Sequence, residues 1–271
     1  MDKAPEAADL LDLAREVVAD AATLARTMRE RGVADVSTKS TDTDVVTAAD
    51  RAVERQVMAA LRAARPGDAV LGEESGTAAP VGAAGPVRWI LDPIDGTVNY
   101  LYGLPWYAVS LAAEVDGTVV AGVVREAVSG AEWTAVRGGG AYRGGRRLHG
   151  STETDLGQAL VATGFGYDPA RRAHQARVLA GLLPEVRDVR RFGAAAVDLC
   201  LTAEGAFDAY YEKGLNPWDR AAGGLVATEA GLRVTGLAGA PPGIDMVVAA
   251  PPALYDALHD RLVALDAASG P

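Results

Sequence analysis

Three groups of acids in the 271-residue chain have the types and spacing to do chemistry together. Glu73 and Glu74 are adjacent, directly after the apolar run Ala69-Val70-Leu71-Gly72. Asp92 and Asp95 flank Pro93-Ile94 at the end of the strand candidate Val87-Arg88-Trp89-Ile90-Leu91. Asp219 follows Trp218 where a strand pattern gives way to a helical one. A single acid is ordinarily a solvated surface group. These acids instead lie where strands are expected to deliver their last residues, which is where ligand sites collect in α/β architectures. Carboxylates that face one another repel, so a site made of them calls for cations. An all-oxygen donor set suits Mg²⁺, Ca²⁺ or Mn²⁺. His149, His174 and His259 stand apart without ligand spacing, which argues against zinc.

Within Asp92-Pro93-Ile94-Asp95-Gly96-Thr97 the spacing has a physical reading. Asp92 is expected to end the strand, where its two oxygens can bridge two ions. Pro93 and a turn would bring Asp95 back to the same point and leave the Ile94 carbonyl free as a further hard donor. Gly96 and Thr97 would open a helix, with N–H groups available to a phosphate. The Thr97 hydroxyl would lie beside the ions, able to orient an attacking water. Asp-Pro and Asp-Gly are also common turn dipeptides, so this segment by itself is compatible with a plain turn.

The elements that must position these groups follow from periodicity. Leu10, Ala14, Val17, Ala21, Leu24 and Met28 form the stripe of an amphipathic helix ending near Gly32. Residues 33–46 are polar and β-branched, a hairpin or a mobile loop. Thr47 is expected to cap a second helix with Asp50 three residues on, its buried stripe being Val53, Val57 and Leu61. An Ala/Gly/Pro loop occupies 77–86. Residues 107–149 contain β-rich runs separated by Asp-Gly, Ser-Gly and Gly-Gly turns, the pattern of an antiparallel meander. The glycines from Gly138 to Gly145 belong to hairpin turns, since no βαβ unit surrounds them. Arg143, Arg146 and Arg147 read as a solvated patch, and Cys200 as a buried small hydrophobe. Beyond residue 150, strands at 160–163, 206–211 and 247–250 alternate with helices at 169–183, 194–205, from about 218, and 252–265. Residues 1–148 form an α+β half that carries most of the candidate metal ligands. Residues 149–271 form an α/β half that supplies Asp219 and substrate contacts, the two packed tightly as one unit.

Composition narrows the classes. Apolar residues make up 49%, which argues against disorder. The net charge of −10 argues against a nucleic-acid partner, because phosphate contacts need clustered bases. One cysteine cannot form an internal disulfide, the first residues lack an apolar core, and no apolar run is long enough to span a bilayer. A cytoplasmic, non-membrane protein is expected. Only three lysines, Lys3, Lys39 and Lys213, occur beside 23 arginines; 26 basic residues face 36 acids. Placing Asp50, Glu73, Glu74, Asp92, Asp95 and Asp219 in one site, as the family resemblance given below implies, leaves a net charge of −4 elsewhere. An anionic substrate would therefore have to arrive with metal.

Four motifs in order carry a family resemblance. The segment from Trp89 to Tyr100, WILDPIDGTVNY, resembles the first signature of the inositol monophosphatase family, and Asn216 to Gly223, NPWDRAAG, resembles its second. Glu73-Glu74-Ser75 and the set Lys39, Asp44, Val46, Thr47 and Asp50 are similar to the family's remaining site segments. The resemblance implies a layered αβαβα sandwich of the sugar-phosphatase type, usually a homodimer, with Mg²⁺-dependent and lithium-sensitive activity. It implies two or three Mg²⁺: Glu73, Asp92 and the Ile94 carbonyl on the first, Asp92, Asp95 and Asp219 on the second, and Glu73 touching a weaker third. Glu74, Thr97 and Asp50 would orient and deprotonate the water, and the Gly96 and Thr97 amides would hold the phosphate. Substrate contacts would come from Asp92, Glu212, the Gly193-Ala194-Ala195 turn and Lys39. The implied reaction is hydrolysis of a small phosphorylated polyol, inositol 1-phosphate foremost, without a covalent intermediate. Relatives with this core act on histidinol phosphate, 3′-phosphoadenosine 5′-phosphate or fructose 1,6-bisphosphate, and an aminocyclitol phosphate is a further alternative. The nucleotide and histidinol enzymes often carry a Lys after Asp-Gly-Thr; Val98-Asn99-Tyr100 here favours the inositol-phosphate branch. The competing class is a non-catalytic regulatory protein on the same fold, which would be expected to have lost a ligand acid.

Overall fold

Helix α1 (Ala7–Glu30) buries Leu10, Ala14, Val17, Val18, Ala21, Ala22 and Ala25 along one face. A computed structural model describes residues 6–33, 36–39, 45–78 and 85–271. Asp44 and most of the Ala/Gly/Pro loop lie outside the described residues. Strands β1 (Ser37–Thr38) and β2 (Val45–Val46) pair antiparallel, so the hairpin alternative is the one adopted. Helix α2 (Ala48–Ala64) starts at a capping box. The Thr47 hydroxyl accepts from the Ala49 amide at 3.1 Å, and Asp50 accepts from the Thr47 amide at 2.8 Å.

Strands β3 (Ala69–Gly72), β4 (Gly76–Ala78) and β5 (Val87–Asp95) lead to the short helix α3 (Thr97–Tyr102). The meander follows as β6 (Ala108–Val115), β7 (Thr118–Glu126), β8 (Glu132–Val136), β9 (Gly140–Arg143) and β10 (Arg146–Arg147). Together these strands make an eight-stranded sheet in the order β10-β9-β8-β7-β6-β5-β3-β4, with β3 parallel to β5 and the meander antiparallel. The second half runs β11 (Leu160–Thr163), α4 (Pro169–Leu182), β12 (Asp188–Arg190), α5 (Ala195–Glu204), β13 (Ala209–Glu212), α6 (Pro217–Glu229), β14 (Arg233–Thr235), β15 (Val247–Ala250) and α7 (Pro252–Ala264). Its five strands order as β12-β11-β13-β15-β14, parallel on one side and antiparallel on the other.

Three apolar clusters separate five layers. Helices α1 and α2 pack on one face of the large sheet through Trp89, Leu91, Val109, Leu111 and Val123. The other face offers Ile90, Ala112, Val124 and Trp133 to α5 and α6, and these also meet Tyr210, Val247 and Ala249 of the small sheet. The outer face of the small sheet, with Val161, Tyr211 and Val248, is covered by α4 and α7. Alternation along β5, β13 and β15 thus sends neighbouring residues into different cores. The result is the αβαβα sandwich. No helix among the described residues is long and apolar enough to cross a membrane.

Two local expectations need correction, and a third gains a contact. Strand β5 does not end at Asp92 and turn back; it continues to Asp95 with a register shift between the two acids. Pro93 has no N–H for the ladder, so the pairing breaks there as a bulge. Strand β13 begins at Ala209 rather than at residue 206. The arginine patch is exposed at Arg146 and Arg147, as expected, but two of its members are also paired: Arg143 and Arg146 reach Glu204 on α5 at 2.7 and 2.5 Å, and Arg143 stacks over Trp133 at 5.0 Å.

Candidate functional site

Strand β5 is buried along its length except at Arg88, so its last residues carry Asp92 and Asp95 into the interior. The Ile94 amide donates to Asp92 Oδ1 at 3.1 Å, and the bulge turns both acids to one side. Parallel pairing brings the end of β3 alongside, and the Glu73 amide donates to the Leu91 carbonyl at 3.3 Å. Asp219 sits in the first turn of α6, where it accepts from the Asn216 amide at 2.6 Å. A cleft of about 360 Å³ collects Glu73, Asp92, Ile94, Asp95 and Asp219, with Gly96 and Thr97 at its floor.

Burial first, and then repulsion from Glu73, Asp95 and Asp219, pushes the Asp92 carboxyl well above the usual carboxylate range. Asp219 is raised in the same way, by burial and then by Glu73. Asp95 is pushed up to about 7 by burial, although the α5 amides pull the other way. It accepts from Ala195, Ala196 and Val197 at 3.0, 2.9 and 3.4 Å. Ala194 at the helix N-cap has no side chain to offer, so Asp95, a century of residues earlier, caps α5 in its place.

Gly96 has φ +90°, and a Cβ there would lie 2.7 Å from the Trp106 carbonyl, so only glycine fits the step from β5 into α3. The Thr97 hydroxyl lies 3.0 Å from Asp50 Oδ1 and 3.1 Å from the Ile94 carbonyl, with one proton to give. The Ile94 carbonyl is therefore not wholly free, as expected from sequence, but keeps a lone pair. Asp50 Oδ2 accepts from the Thr47 hydroxyl at 2.6 Å. Burial raises its carboxyl, against the Thr47 and Thr97 hydrogen bonds.

Lys39 lies in the cleft wall, its Nζ 2.9 Å from Glu73 and 2.5 Å from Glu74. Although burial works against the charged form, Glu73 and Glu74 hold its ammonium above the ordinary lysine value. Burial also raises Glu73, and pushes Glu74 up to about 7, with Lys39 opposing both. Among the described residues, no three Asp, Glu, His or Cys side chains stand close enough to cage an ion as they are. The chemistry of the donors nevertheless fits hard divalent cations: four mutually repelling buried carboxylates and one carbonyl, with no sulfur or imidazole.

Of the substrate contacts named from sequence, Lys39, Asp92, Gly193, Ala195 and Glu212 line the cleft. Ala194 does not: its methyl packs in the core between the sheets. Glu74 and Asp50 stand behind the wall, acting through Lys39 and Thr97. Tyr210 donates to Glu212 at 2.6 Å, and burial pushes the Glu212 carboxyl up to about 7, against Tyr210 and Arg191. Its carboxylate lies over Gly164, where a Cβ would be 2.0 Å away.

Several contributors were not singled out in the sequence. Asn99 ties α3 to the opposite wall, donating to the Trp106 and Phe192 carbonyls, each at 2.7 Å. Trp106 stacks on Phe192 with ring centres 4.6 Å apart. Phe165, Tyr167, Arg171, Arg191 and Trp218 complete the cleft. Asn99 in the first signature and Trp218 in the second were usable signals; Phe165, Tyr167 and Arg191 come from loops, and Arg171 from the start of α4, whose convergence no local pattern encodes.

A layered sandwich that gathers oxygen donors and free amides in one cleft between its sheets defines a hydrolase of the sugar-phosphatase type. Comparison with known proteins narrows this: the profile described as the inositol monophosphatase family matches residues 6–266, so the chain belongs to that family and is a phosphatase. It is 50% identical over 231 residues to the inositol-1-monophosphatase of Mycobacterium leprae, covering 82% of this chain and 79% of that protein. The solved structure of Mycobacterium tuberculosis SuhB superposes with a TM-score of 0.82 at 40% identity, covering 99% of this chain and 100% of that one. A Pseudomonas aeruginosa protein named Nus factor SuhB is 40% identical over 199 residues, covering 72% of this chain and 73% of that protein.

Proposed function

We propose that the protein is a Mg²⁺-dependent phosphomonoesterase that converts inositol 1-phosphate to inositol and phosphate. The observation that carries this reading is the convergence of Glu73, Asp92, Ile94, Asp95 and Asp219 in one cleft with the Gly96-Thr97 step. Glu73, Asp92 and the Ile94 carbonyl would hold one Mg²⁺, Asp92, Asp95 and Asp219 a second, and Glu73 would touch a third. Bound there, Mg²⁺ supplies charge to polarise the phosphate and to acidify water.

The chain's own residues do the rest. The Gly96 and Thr97 amides bind the phosphate oxygens. The Thr97 hydroxyl accepts the proton of the attacking water while giving its own to Asp50, with which it already shares a hydrogen bond. Glu74 helps to orient the water from the other side through Lys39, with which it pairs at 2.5 Å. The water oxygen forms a bond to phosphorus as the ester P–O bond breaks in line, and the departing alkoxide takes a proton from a solvent water. No side chain needs to bond to phosphorus. Glu212 accepts a hydrogen bond from a ring hydroxyl, its orientation fixed by Tyr210.

All the donor acids that a catalytic centre needs are retained, which supports an enzyme over a solely regulatory protein. The reading includes a homodimer, supported by the exposed Tyr102, Leu104 and Trp106 beside the cleft, and a cytoplasmic location. The test is phosphate release from inositol 1-phosphate, histidinol phosphate, 3′-phosphoadenosine 5′-phosphate, fructose 1,6-bisphosphate and an aminocyclitol phosphate, with and without Mg²⁺ and Li⁺. Fastest Mg²⁺-dependent, Li⁺-inhibited turnover on inositol 1-phosphate is expected. A faster alternative would replace the substrate, and no Mg²⁺-dependent release at all would overturn the assignment.

A further inference from the structure

On the far side of α6 lies a second cavity of about 400 Å³, between the β6–β7 turn, the helix and the stretch from β14 to residue 242. Successive helical side chains diverge by roughly 100°. Asp219 therefore faces the phosphatase cleft while Arg220 turns into this second cavity. The Arg220 guanidinium forms no hydrogen bond or ion pair among the described residues, and its Nε is buried without a partner. Across the cavity, Arg137 donates from Nε to the Val119 carbonyl at 2.7 Å, which fixes the guanidinium and leaves its outer nitrogens free. Among the described residues no Asp or Glu lines the cavity, in a chain with ten more acids than bases. The nearby Glu229 is taken up by the Gly138 and Gly140 amides, each at 2.9 Å.

Gly224 adds an independent observation. It lies one turn beyond Arg220 on the same face, and a Cβ there would meet nothing within 4 Å. Its neighbour Gly223 has a packing reason, since a Cβ would come within 3.0 Å of the Ala196 carbonyl. Glycine inside a helix is unfavourable by about 1 kcal/mol relative to alanine. At residue 224 no contact accounts for that loss, and what glycine provides there is open space in the cavity. Leu225, Val234 and Pro241 form an apolar stretch of the wall, with the hydroxyl residues Thr118 and Thr228 beside it.

We propose that this cavity is a second binding site, separate from the phosphatase cleft, for a small organic anion with a compact apolar body. The anionic head pairs with Arg220 and Arg137; the body lies against Leu225, Val234 and Pro241 in the space that Gly224 leaves. The volume suits a ligand of that size, and an unpartnered, half-buried guanidinium gains most from an anion that shares its dry environment.

The test is a fluorescence titration of the intact protein with 8-anilinonaphthalene-1-sulfonate, an arylsulfonate of this class. One saturable site is expected in the wild type. Arg220→Met, which keeps the apolar stem, should weaken binding at least tenfold, and Arg137→Gln severalfold. Gly224→Leu keeps both charges but fills the cavity, and should abolish binding. Arg137→Gln and Gly224→Leu should retain wild-type phosphatase turnover, which separates this site from the cleft. No saturable binding by the wild type, or binding unchanged in Arg220→Met and Gly224→Leu, would overturn the proposal. If Gly224→Leu does not fold, the two arginine variants still decide it.

Discussion

Asp92 is the acid most surrounded by like charge, with Glu73, Asp95 and Asp219 all raising its carboxyl. Replacing it with asparagine removes a donor for both proposed ions while relieving that repulsion. Asp92→Asn is expected to lose phosphatase activity by at least a hundredfold with no loss of melting temperature; near-normal turnover from the folded variant would refute its role. Asp198, on α5, presents a different case. It is fully buried, and neither oxygen has a hydrogen-bond partner of good geometry. Burial, then Glu212 and Asp95, holds its carboxyl well above the usual range, against Arg191 and the Gly193 amide. The folded state therefore keeps a proton that the unfolded chain releases in the ordinary carboxylate range. Stability from this group is present at low pH and is lost as pH rises from that range through the folded value. Asp198→Asn should remove the loss, so the gap in melting temperature between variant and wild type should widen from pH 5 to pH 8. A buried unsatisfied group commonly costs about 1–3 kcal/mol. Parallel melting curves across that pH range would count against the account.

At the scale of elements, what could be read from the chain depended on how local its cause was. The caps at Thr47 and the stripes of α1 and α2 are written within a few turns, and they are present as expected. The short strands β12 and β14, each three residues long, carry too few alternations to register as strands before the sheet is known. The bulge in β5 was misread as a turn because Asp-Pro suits either, and the partner strand β6 decides between them. The Asp95 cap on α5 had no local trace, since helix and cap are about 100 residues apart. The acids of the cleft were legible because strand ends and paired carboxylates are both sequence features, and Thr47 and Thr97 were legible beside Asp50; the distant amides of α5 that hold Asp95 were not. The β9–β10 hairpin was legible from its glycines, but the reach of Arg143 and Arg146 to Glu204 on α5 was not, since the partner lies about 60 residues away. Glu204 also accepts from the Trp133 indole at 3.1 Å, an interaction glutamine can keep. Glu204→Gln should lower unfolding stability in urea by about 1 kcal/mol, given the partial exposure of both arginines. The deficit should shrink in high salt, as screening weakens what was lost; a deficit indifferent to salt would point to packing instead.

For the whole molecule, the cleft is acidic on balance: Glu73, Asp92, Asp95, Asp168, Glu212 and Asp219 line it against Lys39, Arg171 and Arg191. A ligand that binds only the folded state raises its stability in proportion to the logarithm of concentration above the dissociation constant. Mg²⁺ is therefore expected to raise the melting temperature in a saturable way, beyond the effect of NaCl at equal ionic strength. Asp92→Asn should lose most of that increment, and EDTA should abolish turnover that added Mg²⁺ restores. An equal shift with NaCl would mean that screening alone is at work.

The proposed donor set is drawn from residues 73 to 219, and α5 cannot be capped until β5 and the 194–197 turn have met. During synthesis the first four donors leave the ribosome more than a hundred residues before the fifth. No nascent chain lacking α6 can hold the complete set, and neither half can acquire it by folding alone. The complete cleft thus comes late, after both sheets have begun to meet, and competence arrives with the closing of the sandwich rather than with any one of its parts.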